Sequence, residues 1–448
     1  MGGAGPSQGE EGAGPSARRI GRVPPRGIHM RVVRSLLSLT PMVLVACGGP
    51  ADRAAGGAWD AVIDTAGDTI TVRTLSGSAW GDTAGLIAEV EIGESNGSDA
   101  HIFGEPRALA VGPGGMILVL DTQVPVVRAF DADGVYLRDV GRSGNGPGEY
   151  ASPDGMTVLE DGRILVRDPP NGRTSVFSGD GEFREQWPLS GGFNSDRRFY
   201  VDTAGDSYVT TLLERGRAPW EWKFGLVRYN PRGEILDTVP APVWNHEFAR
   251  VTASSENSSS MRLVPFTADV AWSFSPLGYM VGGLSTDYRI DLYRRNAPVL
   301  RIERVWTAVP VLAAEADEQR LRITRGLQRQ YGSWRWNGPS IPSTKPPFRD
   351  LFLSAEGDVW VLLSTEGIET MSEADAIAEE HATGRVPLRF EEPAAFDVFA
   401  ADGRYLGHVR VPSSFRTDPE PIVRGDRVWA ITRDELDVAR ITRFRLVH

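Results

Sequence analysis

Six positions recur at one register of a repeated pattern in this 448-residue chain: Arg107, Asp154, Arg197, Val270, Arg349 and Thr417. Three guanidinium groups and one carboxylate brought to one ring could capture an anion, because the planar fork of Arg matches a carboxylate or phosphate with two bonds. The same groups could instead pair among themselves, Arg107 and Arg197 with Asp154, and close the ring structurally. Catalytic sets are harder to assemble. The histidines after residue 46 (His101, His246, His381, His408 and His448) do not recur at the shared register. Residues 93–97 (GESNG) fit G-x-S-x-G, but that elbow requires a strand-to-helix turn and no helix follows. Residues 141–148 are glycine-rich but lack the Lys and the helix of a phosphate loop. The expectation is a ligand-binding ring of Arg107, Asp154, Arg197, Arg349 and Thr417, with no catalytic residue, metal or cofactor. Trp334 and Trp336 fall between predicted elements, where aromatics either stack on a ligand or pack their own loop.

The elements that must position this ring come from an internal repeat. The segments that start PRALAV at 106 and PDGMTV at 153 align without a gap at their start. Each reads as four short strands. The first ends at a Gly-Gly or Asp-Gly turn, the second is apolar, and the third alternates and ends in Phe130 or Phe177. A D-A-D-G or S-G-D-G turn then leads to the fourth, and Gly supplies the positive φ that such hairpins need. Further copies begin near 198, 269 and 349. A sixth, from 421, stops after three strands at His448. Its missing outer strand is available upstream as LIAEVEI at 86–92. The first three copies lie about 40–50 residues apart, as plain propeller blades do, and the later ones are spread by insertions.

The linker GRSGNGPGEYASP at 141–153 resembles the signature that joins consecutive blades in NHL-type propellers. The chain is similar to six-bladed, NHL-repeat-like bacterial lipoproteins. That resemblance implies an all-β, six-bladed β-propeller closed by strand exchange, with small helical insertions. It also brings two enzyme classes to mind. Calcium-dependent lactonases of this architecture use a cage of oxygen ligands, whereas the ring above offers one carboxylate among guanidiniums. Amidating lyases use His-ligated zinc, and the histidines here are scattered. The leading expectation is therefore a non-catalytic propeller that binds a protein, peptide or other envelope ligand on one face. A metal-dependent hydrolase or lyase in the channel is the alternative.

The address is read from residues 30–47, MRVVRSLLSLTPMVLVAC. A short basic start, an apolar run too short to span a bilayer, and then the chain's single Cys resemble a bacterial lipobox with Cys47 as the lipidated residue. One Cys also excludes an internal disulfide framework. By the same resemblance the protein is expected outside the cytoplasm, anchored through Cys47 in the outer membrane and facing periplasm or surface. The net charge of −11 becomes more acidic once the first 46 residues, with six Arg and two Glu, are set aside. Such a surface disfavours nucleic acid. The expected organisation is an over-extended, disordered start (1–29), a signal peptide (30–46), a tether (47–58), an extension with room for a hairpin (59–85) and a monomeric propeller (86–448). Insertions are placed at about 241–265, 311–345 and 366–394. The first contains a polar run, 253–260, read as a mobile surface loop. The second reads as a helix over 311–331, and the third as a helix over 372–381 capped by Ser372.

Overall fold

The computed structural model describes residues 58–189, 198–216 and 221–448; residues 1–57, and with them Cys47, and Arg197 lie outside this description. Six four-stranded antiparallel blades form the ring. Blade 1 is Pro106–Val111, Ile117–Asp121, Val126–Phe130 and Tyr136–Val140. Blade 2 is Gly155–Val158, Ile164–Asp168, Arg173–Phe177 and Phe183–Pro188; blade 3 is Phe199–Val201, Ser207–Glu214, Lys223–Tyr229 and Ile235–Pro240. Blade 4 is Val270–Ser275, Tyr279–Leu284, Arg289–Tyr293 and Val299–Arg304; blade 5 is Phe348–Leu353, Val359–Leu363, Ala395–Phe399 and Tyr405–Arg410. Blade 6 takes Ile422–Arg424, Arg427–Arg433 and Ala439–Val447 from the end of the chain, and its outer strand, Ala84–Ile92, from the beginning. This strand exchange closes the ring without a free edge between first and last blades.

The blades are held by the apolar residues that each strand turns toward its neighbours. Leu118, Leu120, Val127, Met156, Ile164, Val166 and Phe177 fill the boundary of blades 1 and 2. Tyr288, Ile290, Ile302, Phe348, Val361 and Phe399 do so between blades 4 and 5, and Phe352, Trp360, Phe396, Val428 and Phe444 between 5 and 6. The linker after blade 1 turns at Gly141, where φ is +72° and a Cβ would stand 2.4 Å from the Tyr150 ring. Only glycine meets both conditions.

The extension forms the anticipated hairpin, Asp60–Ala66 with Thr69–Ser76, and does more than the sequence indicated. Its second strand pairs in parallel with Val299–Arg304, the outer strand of blade 4. The chain then hydrogen-bonds along blade 5, with the Ala79 and Trp80 N–H groups donating to the Tyr405 and Leu406 carbonyls at 3.1 and 2.8 Å. Trp80 stacks on His448 at 4.8 Å. Residues 60–92 thus strap the rims of blades 4, 5 and 6.

All three insertions leave the ring at the same end. Blade linkers and the connection between second and third strands both emerge where each innermost strand begins, because antiparallel strands alternate direction. Helix α1, Ala313–Tyr331, and helix α2, Glu373–Thr383, occupy the expected places, and Ser372 caps α2 by accepting from the Asp375 N–H. The polar run 253–260 is not an irregular loop. It folds as a hairpin of Arg250–Ser254 with Ser259–Leu263, whose Val251 and Ala253 bury against Leu327 of α1. Alternation of small or apolar with polar residues over 250–254 carries that strand; the serine-rich turn hid it.

Candidate functional site

The innermost strands surround an open channel of about 740 Å³. At the end where these strands start, here the linker mouth, the lining includes Arg107, Asp154, Arg198, Asp350, Thr417, Asp418 and Glu420. Farther in, Leu109, Val111, Met156, Val158, Tyr200, Phe274, Leu353 and Ile422 form a largely apolar wall. At the opposite end, the turn mouth, each blade contributes a residue at or near its first hairpin turn: Pro113, Glu160, Thr203, Pro276, Ala355 and Arg424. Among the described residues, none from the three insertions lines the channel.

The expected ring is brought together only in part. Arg107 sits at a bulge between Pro106 and Ala108, lines the mouth, and pairs with Glu105 at 3.3 Å. Asp154 lines it too, but the fully buried Arg167 on the next strand of its own blade grips it through two bonds of 2.7 and 2.8 Å. Its carboxylate is thus held by a guanidinium from outside the ring register. Thr417 lies where expected. Arg349 does not face the channel. A bulge between Phe348 and Asp350 shifts the alternation by one residue. Asp350 lines the channel instead, while Arg349 donates to the Leu363 carbonyl at 3.1 Å and pairs with Glu392 at 3.5 Å. Burial pushes the Arg349 pKa down, with Glu392 and Asp350 opposing. Val270, the blade 4 position, is likewise outside the lining. Among the described residues the linker mouth is therefore a mixture of acids and bases that leans acidic.

Trp334 and Trp336 do not line the channel. Both pack against the buried cluster of Val251, Ala253, Val264 and Leu327. The Trp334 indole N–H donates to the Thr252 carbonyl at 2.8 Å, which ties the second insertion to the hairpin of the first, and the Trp336 indole N–H donates within its own insertion to the Pro339 carbonyl at 2.9 Å. Below them Lys345, fully buried, donates to Glu315 of α1 at 2.7 Å and to the Thr365 carbonyl at 3.0 Å, and pairs with Glu392 at 3.3 Å. These bonds fasten α1 and the third insertion to blade 5.

Sequence reasoning missed Arg198, Asp350 and Arg424. Arg198 donates to the Trp272 carbonyl at 2.6 Å and lies 5.7 Å from the centre of that ring, so it bridges blades 3 and 4 at the mouth. Asp350 was recoverable only by knowing the bulge. Arg424 carried a signal, since PIVRGDRVW places it directly before a Gly-Asp turn, the end of an innermost strand. Among the described residues, no group of three His, Cys, Asp or Glu side chains converges as metal ligands would.

Residues 99–189 match the family model described as DUF5128, a 6-bladed β-propeller. No curated protein matches the chain. Among solved structures, a DUF4221-family member from Bacteroides vulgatus is similar at 11% identity and a TM-score of 0.47, over 82% of this chain and 99% of that one. A Bacteroides fragilis protein whose name marks it as expected to be exported is similar at 12% identity and a TM-score of 0.44, over 85% and 100%. Virginiamycin B lyase from Staphylococcus aureus is similar at 10% and 0.39, over 81% and 100%. The blade register, the closing strand and the match to a six-bladed family model establish the architecture: the chain is a six-bladed β-propeller.

Proposed function

We propose that this protein is a lipid-anchored, extracytoplasmic propeller that binds an envelope ligand in its central channel without transforming it. One observation carries the reading: an open channel of about 740 Å³, a volume typical of ligand sites, whose rims are polar and whose wall is apolar. The anchor rests on the lipobox-like run ending at Cys47, the only Cys. An NHL-like lipoprotein tethered outside the cytoplasm is the setting that this run and the 141–153 linker support.

Native mass spectrometry of the full chain, purified from membranes, tests both parts. A small molecule or peptide should co-purify with the wild type and be absent from Ala108→Trp, which fills the channel. Cys47→Ala should release the chain from the membrane fraction. Stoichiometric calcium or zinc together with turnover of a lactone or amide would overturn the non-catalytic reading.

A further inference from the structure

We propose that the turn mouth of the channel anchors a carboxylate carried on an apolar body, with Arg424 as the anion-binding residue. This rests on reading the channel as a ligand site.

Arg424 ends the short strand Ile422–Arg424 and faces Arg427 across a two-residue turn. The hairpin is fixed from the side, because the Ala355 N–H of blade 5 donates to the Val423 carbonyl at 2.9 Å. Arg424 as a residue is exposed and lines the channel, and among the described residues no carboxylate lies within ion-pair distance of its guanidinium. The other two arginines of the lining are engaged, Arg107 with Glu105 and Arg198 with the Trp272 carbonyl. The acid that acts on Arg424 electrostatically is Glu356, and one of its oxygens already accepts the Gly425 N–H at 2.9 Å. Desolvation by the surrounding protein pushes the Arg424 pKa down, with Glu356 opposing. A guanidinium partly stripped of water and lacking an ion-pair partner is one that an incoming carboxylate stabilises.

The neighbouring surfaces define the rest of the ligand. The other turn-mouth residues are Pro113, Thr203, Pro276, Ala355 and Glu160, and the Glu160 carboxylate would repel a second negative charge. A single anionic group is favoured. Behind Arg424 the wall runs through Ile422, Leu353, Val158 and Tyr200, which would bury an aliphatic or aromatic body. A fatty or aryl acid and the C-terminus of an apolar peptide share this chemistry.

The test uses the full chain in nanodiscs and isothermal titration with three probes: 4-phenylbutyrate, its cationic counterpart 4-phenylbutylamine, and N-acetyl-Leu-Leu. The wild type should prefer the carboxylates to the amine. Arg424→Gln should weaken the carboxylates about tenfold or more and leave the amine unchanged, and Arg424→Lys should retain part of the affinity. Thr157→Trp, which fills the wall, should weaken all three. The better carboxylate identifies the source as acid or peptide. Carboxylate binding that survives Arg424→Gln but not Thr157→Trp would overturn the anchor and leave the channel standing. Loss in Arg424→Gln with no effect of Thr157→Trp would place the anion site outside the channel and overturn the channel reading. Failure of both carboxylates to bind the wild type would overturn the ligand class.

Discussion

The boundary between blades 1 and 2 and the boundary between blades 4 and 5 solve the same problem with different chemistry. Both have an aliphatic and aromatic core. At the first, the polar contribution is local: buried Asp168, at the end of the second strand of blade 2, accepts the Ala151 and Ser152 N–H groups at 2.9 and 3.0 Å and the Asn171 amide at 2.6 Å. It pins the incoming linker. Asp121 does the same in blade 1 for Gly104 and Glu105. At the second boundary a fully buried carboxylate, Asp397, gathers partners from both blades. The Tyr288 and Tyr405 hydroxyls donate to it at 2.8 Å each, Arg304 pairs with it, and His408 approaches at 3.3 Å. A pin reads backbone and repeats with the blade. A hub reads side chains and is made once, where the insertions and the strap load one side of the ring.

Removing the hub should therefore cost more than removing a pin. Asp397→Ala strands Arg304 and two tyrosine hydroxyls in the interior, and about 3–5 kcal/mol is expected for breaking such a buried pair. Urea unfolding checks it. Burial alone would raise the Asp397 pKa. The bonds from His408, Tyr288 and Tyr405 and the Arg304 charge outweigh that and hold it below the usual carboxylate range. The unfolded carboxyl then takes up a proton near pH 4 that the folded one still refuses. Its stabilisation is present above that pH and is lost as pH falls through the depressed folded value. Asp397→Asn should flatten this acid limb. A hub variant no worse than a pin variant would erase the distinction.

Lys345 sharpens the same comparison. Lys345→Met leaves Glu315 and Glu392 facing each other without their cation and should cost about 3 kcal/mol. Adding Glu315→Gln should restore much of that, because a buried charge without a partner is the main penalty. Asp168→Ala should cost less, about 1–3 kcal/mol, since the freed N–H groups sit at a linker that water can reach. Its effect should appear as faster hydrogen exchange at Ala151 and Ser152 while blades 4 and 5 stay protected.

How much of this was legible follows from sequence distance. The pins belong to a motif that repeats at blade spacing, so ILVLD and ILVRD, and the linker before the second, announce blades 1 and 2 directly. Asp397 meets Tyr288 from 109 residues away and Arg304 from 93, and no local pattern encodes such a meeting. The same holds for Lys345 and Glu315, 30 residues apart across an insertion. At the channel, the repeat register put Arg107, Asp154 and Thr417 into the lining, although only Arg107 lies within a strand and Thr417 comes five residues before the innermost strand of its blade. It failed at Arg349, where the bulge hands the position to Asp350. Asp154 was found, but its partner Arg167 was not, because Arg167 occupies a position that in blade 1 is Leu120.

The smallest effect is expected at the first turn of blade 5, where Asp358 stands at the place that Met116 holds in blade 1. Desolvation, then Glu356 and Asp402, push the Asp358 pKa up to about 6, with Arg404 opposing. A carboxyl whose folded pKa is raised binds its proton more tightly in the native state. Its favourable contribution is therefore complete below the unfolded value near pH 4 and is lost as pH rises through about 6. At pH 8 the folded protein holds a charge that it would rather neutralise. Asp358→Asn should then stabilise the protein by about 1 kcal/mol at pH 8 and by nothing measurable at pH 4, after allowance for partial solvent screening. The Asp358 N–H still donates to the Ser354 hydroxyl at 3.1 Å in that variant, so the turn itself is preserved. Thermal melts of the two proteins across pH 4–8 should diverge only on the alkaline side. Parallel curves would mean that the charge is already well solvated, and the boundary of blades 4 and 5 would then differ from that of blades 1 and 2 by its Asp397 hub and its Lys345 cluster, not by Asp358.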